Sequence, residues 1–125
     1  MNNCETTYAT LRVSRPGINI SEVSSLLGFH PTDVFPKDKP AERWIYSTQA
    51  LIKSDSLDIH LQHITKLLLR NGTRRMIGLQ STGHQTDIFC YWLSKNGHGG
   101  PEIQPETLLE LGSLGLKLSL DVYQI

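Results

Sequence analysis

The chain has little that would place it in a membrane, in an oxidising compartment or on a polyanion. It contains no apolar run long enough to span a bilayer, and residues 1–5 lack the basic start and apolar stretch of a signal peptide. Cys4 and Cys90 lie far apart and predict thiols rather than a disulfide. Twelve basic residues balance twelve acidic ones, which gives no general attraction to polyanions. We therefore expect a cytoplasmic protein that binds neither nucleic acid nor a membrane.

The sequence also lacks a recognisable catalytic or cofactor motif. No serine has the context of a nucleophile elbow, and the glycine-rich residues 97–100 do not lie between a strand and a phosphate-binding helix. His60 and His63 have the spacing of two ligands on one helical turn, but neither an HExxH arrangement nor a cysteine ligand accompanies them. These absences predict a non-enzymatic protein that holds no metal and no cofactor.

What is present is a succession of strand-like and helix-like segments in a chain of the usual length for one domain, residues 1–125. Ser21 is a predicted cap for the first helix, Asp55 and Ser56 are candidates for the second, and Gly28 and Gly72 are the predicted ends. The predicted elements are a strand over residues 8–13, a helix over 20–28, a strand over 43–49, a helix over 57–72, strands over 75–80 and 86–93 joined through a hairpin turn at 81–85, a helix over 105–115 and a strand over 116–123.

This order, β-α-β-α-β-β-α-β, predicts an α+β fold of ferredoxin-like type. It would have a single mixed or antiparallel sheet with the helices mainly on one face. Residues 29–42 contain three prolines and several charges and predict a surface loop. The last strand shows the clearest alternation, with Leu116, Leu118, Leu120 and Val122 on one face.

Four short segments together carry a resemblance to a known family. They are residues 26–32 (Leu-Leu-Gly-Phe-His-Pro-Thr), 43–47 (Arg-Trp-Ile-Tyr-Ser), 57–61 (Leu-Asp-Ile-His-Leu) and 120–123 (Leu-Asp-Val-Tyr). Their order resembles the small bacterial domain-of-unknown-function family four-two-seven-nine. The resemblance implies a compact α+β domain with no established activity and no catalytic residues to transfer. Some small domains of this kind are similar to immunity proteins, which neutralise toxins in bacterial competition.

The leading functional hypothesis is a protein-interaction domain, in its specific form an immunity protein whose partner is a toxin. An exposed sheet face would also allow a homodimer. The alternative is a ferredoxin-like regulatory domain that binds a small ligand. The candidate binding residues are Trp44, His60, Asp121 and Tyr123.

Each candidate also has a structural interpretation. Trp44 and the aromatic side chains of the later strands are suited to filling a core. His60 is suited to a hydrogen bond with a neighbouring segment, and Asp121 to a cross-strand pair with Arg12 or Arg43.

Overall fold

The computed structural model describes residues 3–124, which form one five-stranded sheet and four helices. In chain order the elements are β1 (Cys4–Ser14), α1 (Ile20–Leu27), β2 (Asp33–Phe35), β3 (Arg43–Ser47), α2 (Leu57–Leu69), α3 (Arg74–Ser81), β4 (Gln85–Ser94), α4 (Pro105–Ser113) and β5 (Lys117–Gln124). Among the described residues, no helix combines the length and the apolar character needed to cross a bilayer.

The strands lie in the order β2-β3-β1-β4-β5. All neighbours are antiparallel except β4 and β5, which run parallel because α4 carries the chain back between them. The α+β class and the single mixed sheet are therefore confirmed. The ferredoxin-like expectation is not confirmed, since the observed strand order is 2-3-1-4-5.

The predicted strand over residues 75–80 is wrong, and so is the hairpin after it. This segment is helix α3, and the element order becomes β-α-β-β-α-α-β-α-β. Met76 and Leu79 are its buried residues, three positions apart, whereas Ile77 between them is exposed. A spacing of three places both side chains on one helical face. The sequence pattern of so short a segment fits either a strand or a helix. Packing against the core determines which of the two forms.

Two local predictions also change. Residues 29–42 are not a continuous loop, because β2 forms inside them and pairs with β3. The cap of α1 is Asn19 rather than Ser21: the Asn19 side chain accepts a hydrogen bond from the Glu22 backbone N–H at 3.0 Å. Ser56 caps α2 and Gly28 ends α1 at φ 86°, both as predicted.

The helices lie on one face of the sheet, which we call the inner face. Hydrogen bonds attach three of them to inner-face residues and α4 to α2. These bonds are Trp44 Nε1 to Ser24 Oγ (3.0 Å), Tyr46 OH with His63 Nε2 (2.8 Å), Gln80 Nε2 to Thr86 Oγ1 (3.0 Å) and Gln104 N to Asp58 Oδ1 (3.0 Å). The core is the layer between these helices and the inner face.

Candidate interaction surface on the open sheet face

The opposite side of the sheet, the outer face, has no helix packed on it within residues 3–124. Strand alternation places every second side chain there, so its composition follows directly from register. Neighbouring positions across β1, β4 and β5 give it three regions: a charged end, a middle around Phe89 and a tyrosine end.

The tyrosine end is a row of three rings on three adjacent strands. Tyr8 on β1 stacks on Tyr91 of β4, with ring centroids 5.2 Å apart and planes 21° from parallel. The Tyr91 ring in turn contacts the Tyr123 ring of β5, with centroids 5.4 Å apart. Such spacings are favourable for aromatic pairs. Because Tyr123 is 49% exposed, the row presents ring surface and a hydroxyl to solvent.

Asp121 stands beside this row, opposite Tyr91 in the β4–β5 register. A hydrogen bond from the Tyr123 hydroxyl to the Asp121 carboxylate raises the pKa of Tyr123, and the negative charge of Asp121 acts in the same direction. The pKa of Tyr8 is raised mainly by burial and further by Tyr91 and Asp121. Tyr8 and Tyr123 therefore keep neutral hydroxyl groups at physiological pH, able to donate and accept hydrogen bonds.

The charged end is organised by a bidentate ion pair. Arg12 on β1 donates from Nε to Asp87 Oδ1 of β4 at 2.8 Å, and its Nη2 donates to the other carboxylate oxygen. The same guanidinium lies 5.2 Å from the Phe89 ring centroid, a cation–π distance. The hydrogen bond to Asp87 raises the pKa of Arg12.

Two further cations flank this pair. Arg43 and Lys117 line a shallow hollow of about 440 Å³ together with Arg12 and Asp87. Three positive side chains thus surround one negative side chain. The outer face is consequently positive at this end and carries the carboxylate of Asp121 beside the tyrosines at the other.

The four sequence-predicted binding residues do not form one site. Trp44 is 0% exposed on the inner face, where Phe29 packs edge-on against its ring. His60 is 1% exposed, and its Nδ1 lies 2.6 Å from Thr48 Oγ1 while its Nε2 lies 2.9 Å from Ser54 O. Asp121 and Tyr123 lie on the outer face instead. A single ligand site that combined Trp44 and His60 with Asp121 and Tyr123 would have to pass through the sheet.

The remaining chemically notable side chains are engaged in the core. Burial raises the pKa of the Cys90 thiol to about 12, which makes a reactive thiolate unfavourable. His63 bonds to the Tyr46 hydroxyl, and burial, followed by the charges of Arg70 and His60, lowers its pKa. Within the described chain, no three histidine, cysteine, aspartate or glutamate side chains lie close enough to hold a metal ion.

Sequence reasoning did not single out Tyr8 or Asp87, which belong to the two best-organised contacts on the outer face. The available signal was alternation: Tyr8, Thr10 and Arg12 share one side of β1, and Asp87, Phe89 and Tyr91 share one side of β4. Their juxtaposition needs the β1–β4 register, which pairs Tyr8 with Tyr91 and Arg12 with Asp87. That register links residues about eighty positions apart and is not visible in local pattern.

Comparison with known proteins gives a family but no characterised relative. No curated protein matches the chain, and no solved structure matches it either. A family model described as "Domain of unknown function (DUF4279)" matches residues 5–125. Since this match covers nearly the whole chain, the protein belongs to the DUF4279 family of domains of unknown function.

Proposed function

We propose that this domain is a non-enzymatic protein-interaction domain that recognises a partner protein through its outer sheet face. The observation that carries the proposal is the row of Tyr8, Tyr91 and Tyr123 on a face that no helix of the described chain covers. Tyrosine and arginine are enriched at protein interfaces, because each combines a large contact area with hydrogen-bonding capacity.

The layout of the outer face specifies the chemistry of the partner. The tyrosine row would take an apolar or aromatic ridge whose polar rim can bond to the tyrosine hydroxyls. The end bearing Arg12, Arg43 and Lys117 would take carboxylates, since Asp87 is the one acidic residue among those that line the hollow there. A partner surface with an apolar ridge beside an acidic patch meets both requirements.

In its specific form, the proposal is that the domain is an immunity protein and that its partner is a toxin. The support is the analogy between small domains of this family's kind and immunity proteins, together with a face suited to blocking another protein by surface complementarity. Co-expression with the product of the neighbouring gene tests this form. Growth should be rescued by the wild-type domain and not by outer-face variants, and absence of rescue by the wild type contradicts it.

The interaction proposal itself is tested by affinity capture from the native host with four baits. Wild type is compared with the pair of outer-face variants Tyr123→Ser and Arg12→Ala, and with the control Ile77→Ser, which changes an exposed apolar residue on helix α3. A true partner binds wild type and the control at micromolar concentration and is lost with both outer-face variants. Capture that is equal for all baits, or no capture at all, contradicts the proposal.

A second candidate function, small-ligand binding, is favoured by one separate feature. A hollow of about 400 Å³ between α1 and α3 has Leu26 and Leu79 among its lining residues, and its charged lining residues are three arginines and one acid, Arg15, Arg74, Arg75 and Glu22. Arg15 and Arg75 are each held by a hydrogen bond to a backbone carbonyl, of Thr82 and Leu26 respectively. An apolar body bearing a carboxylate or phosphate would fit this combination.

Thermal-shift screening with anionic metabolites separates the two functions. A ligand at a hundred times its dissociation constant adds about 2.7 kcal/mol to the free energy of unfolding. The shift should disappear in Arg75→Ala and persist in Tyr123→Ser. A flat screen rejects ligand binding and leaves the interaction proposal standing.

A further inference from the structure

The two edges of the sheet differ in how well they are protected. At one edge, β2 has only three residues and is followed directly by Pro36, which has no backbone N–H to donate. At the other, β5 runs for eight residues, and β4 is its one neighbour among the strands of residues 3–124. Short edge strands and prolines prevent unwanted pairing, whereas a long regular edge strand offers a row of backbone donors and acceptors.

The side chains of β5 also leave apolar surface uncovered. Leu120 and Val122 point to the inner face, opposite the buried Cys90 and Trp92, yet they are 51% and 53% exposed. On the same side of the sheet, α4 carries the exposed Leu108 and Leu109. Exposed apolar side chains at an unpaired edge are a feature of association sites.

The sequence of β5 is complementary to itself. If two copies pair antiparallel about Ser119, Lys117 of each copy lies directly opposite Asp121 of the other, and Leu118 lies opposite Leu120. Opposite charges at facing positions stabilise a strand pair, and like charges destabilise it. Two such ion pairs and two such leucine pairs would form in each dimer.

We propose that the protein forms a homodimer by antiparallel pairing of its β5 strands about Ser119. The two five-stranded sheets then join into one continuous sheet, with both helical layers on the same side. Leu118 and Leu120 of the two copies are buried together along the seam, and the edge is no longer open. Lys117 is engaged by Asp121 of the other copy, whereas Arg12, Arg43 and the tyrosine row remain accessible, so dimerisation does not depend on the proposed function.

The first test is the mass of the full chain in solution over a concentration series, by light scattering and analytical ultracentrifugation. Wild type should show a concentration-dependent species at twice the 14.0 kDa chain mass. Lys117→Asp and Asp121→Lys each create two like-charge pairs and should weaken association by on the order of tenfold or more. The double variant Lys117→Asp/Asp121→Lys should recover the wild-type dissociation constant.

The matched control is Lys53→Asp, which reverses the charge of an exposed loop lysine. It should dimerise like wild type, and circular dichroism of every variant should show the wild-type fold. A monomeric mass for wild type at all concentrations overturns the proposal, as does a dimer that both single reversals leave unchanged or that the double variant fails to restore.

The second test determines the register in which the two β5 strands pair. In the Ser119→Cys variant the two new thiols face each other across the seam, so mild oxidation should give a disulfide-linked dimer. The native Cys4 and Cys90 are buried and do not compete. Leu120→Cys serves as the comparison. Faster cross-linking through Leu120→Cys than through Ser119→Cys overturns the register centred on Ser119.

Discussion

The two faces of the sheet carry similar residues that have different roles. On the inner face, the Tyr46 ring packs edge-on against Phe29, with ring centroids 4.9 Å apart, and its hydroxyl hydrogen-bonds to His63. Its ring and its hydroxyl are therefore both engaged within the fold. On the outer face, Tyr8 stacks on Tyr91, and Tyr91 in turn contacts the exposed Tyr123. Aromatic content therefore does not separate core from surface here, whereas the engagement of each ring and hydroxyl does.

This contrast bears on where binding energy is available. A buried aromatic residue contributes its contacts to folding and has none left for a partner. The outer row is already ordered by stacking, so docking would cost little additional side-chain entropy. Substitutions on the inner face should therefore lower stability, whereas substitutions on the outer face should weaken recognition of a partner.

The largest expected effect is at Trp44. Trp44→Ala removes a fully buried indole and leaves a cavity between β3 and α1, which should lower the free energy of unfolding by about 3–5 kcal/mol. Urea unfolding followed by circular dichroism measures it. Ile45→Ala, on the outer side of the same strand, is the control and should lose clearly less. Equal losses at the two positions would remove the distinction between the faces.

The next effect tests the role of His60. His60→Leu keeps most of the buried volume but removes the contacts to Thr48 Oγ1 and Ser54 O, which should lower the free energy of unfolding by about 1–3 kcal/mol. The exposed neighbour Ile59→Ala should change it by no more than about 0.5 kcal/mol. A neutral His60→Leu would show that the two hydrogen bonds do not contribute to stability.

These residues show how much of the fold the sequence pattern predicts. The leucine spacing of α2, the glycine that ends α1 and the alternation of β1, β4 and β5 are local signals, and the structure has those elements. For β3, alternation separates Trp44 and Tyr46 from Ile45 without indicating which side is covered. That depends on the face on which the helices pack, a property of the whole chain.

The same limit explains the candidate site. Trp44 and His60 have chemically versatile side chains, which made them candidates, but burial engages both of them in the core. Tyr8 and Asp87 look ordinary in their own segments, and they become part of a surface only when β1 and β4 pair. Residue type carries the chemistry of a site, and long-range register determines which residues meet.

A smaller, pH-dependent effect is expected at the inner-face pair of Tyr46 and His63. Because the folded state lowers the pKa of His63 below its usual 6.5, the unfolded chain binds more protons between that lowered value and 6.5. The free energy of unfolding should therefore rise with pH through this window and level off above it. Stability is lost as pH falls, because protonation of His63 is unfavourable in its partly buried site and beside Arg70.

Urea unfolding across roughly pH 5 to pH 8 measures this slope, since histidine is the side chain that normally titrates there. His63→Gln keeps a polar group near the Tyr46 hydroxyl and has no titration in the range, so its profile should be flatter than that of wild type. A wild-type profile that rises as pH falls contradicts the lowered pKa. An identical slope in His63→Gln assigns the dependence to another group.

The smallest effect on stability is expected at Tyr123, and it is the most informative about the outer face. Tyr123→Ser removes an exposed ring from the edge of the tyrosine row and should change the free energy of unfolding by no more than about 0.5 kcal/mol. Tyr46→Ser makes the same chemical change on the inner face, where the ring packs on Phe29 and the hydroxyl bonds to His63. It should lose about 3 kcal/mol.

Measuring both tyrosine variants by urea unfolding compares the two faces with side-chain chemistry held constant. If Tyr123→Ser is as destabilising as Tyr46→Ser, the outer row is a structural layer, and its exposure is not available to a partner. If it is neutral for stability and yet abolishes partner capture, the row serves recognition and not folding. The two variants thus test whether the difference in burial between the faces corresponds to a difference in function, which burial alone does not establish.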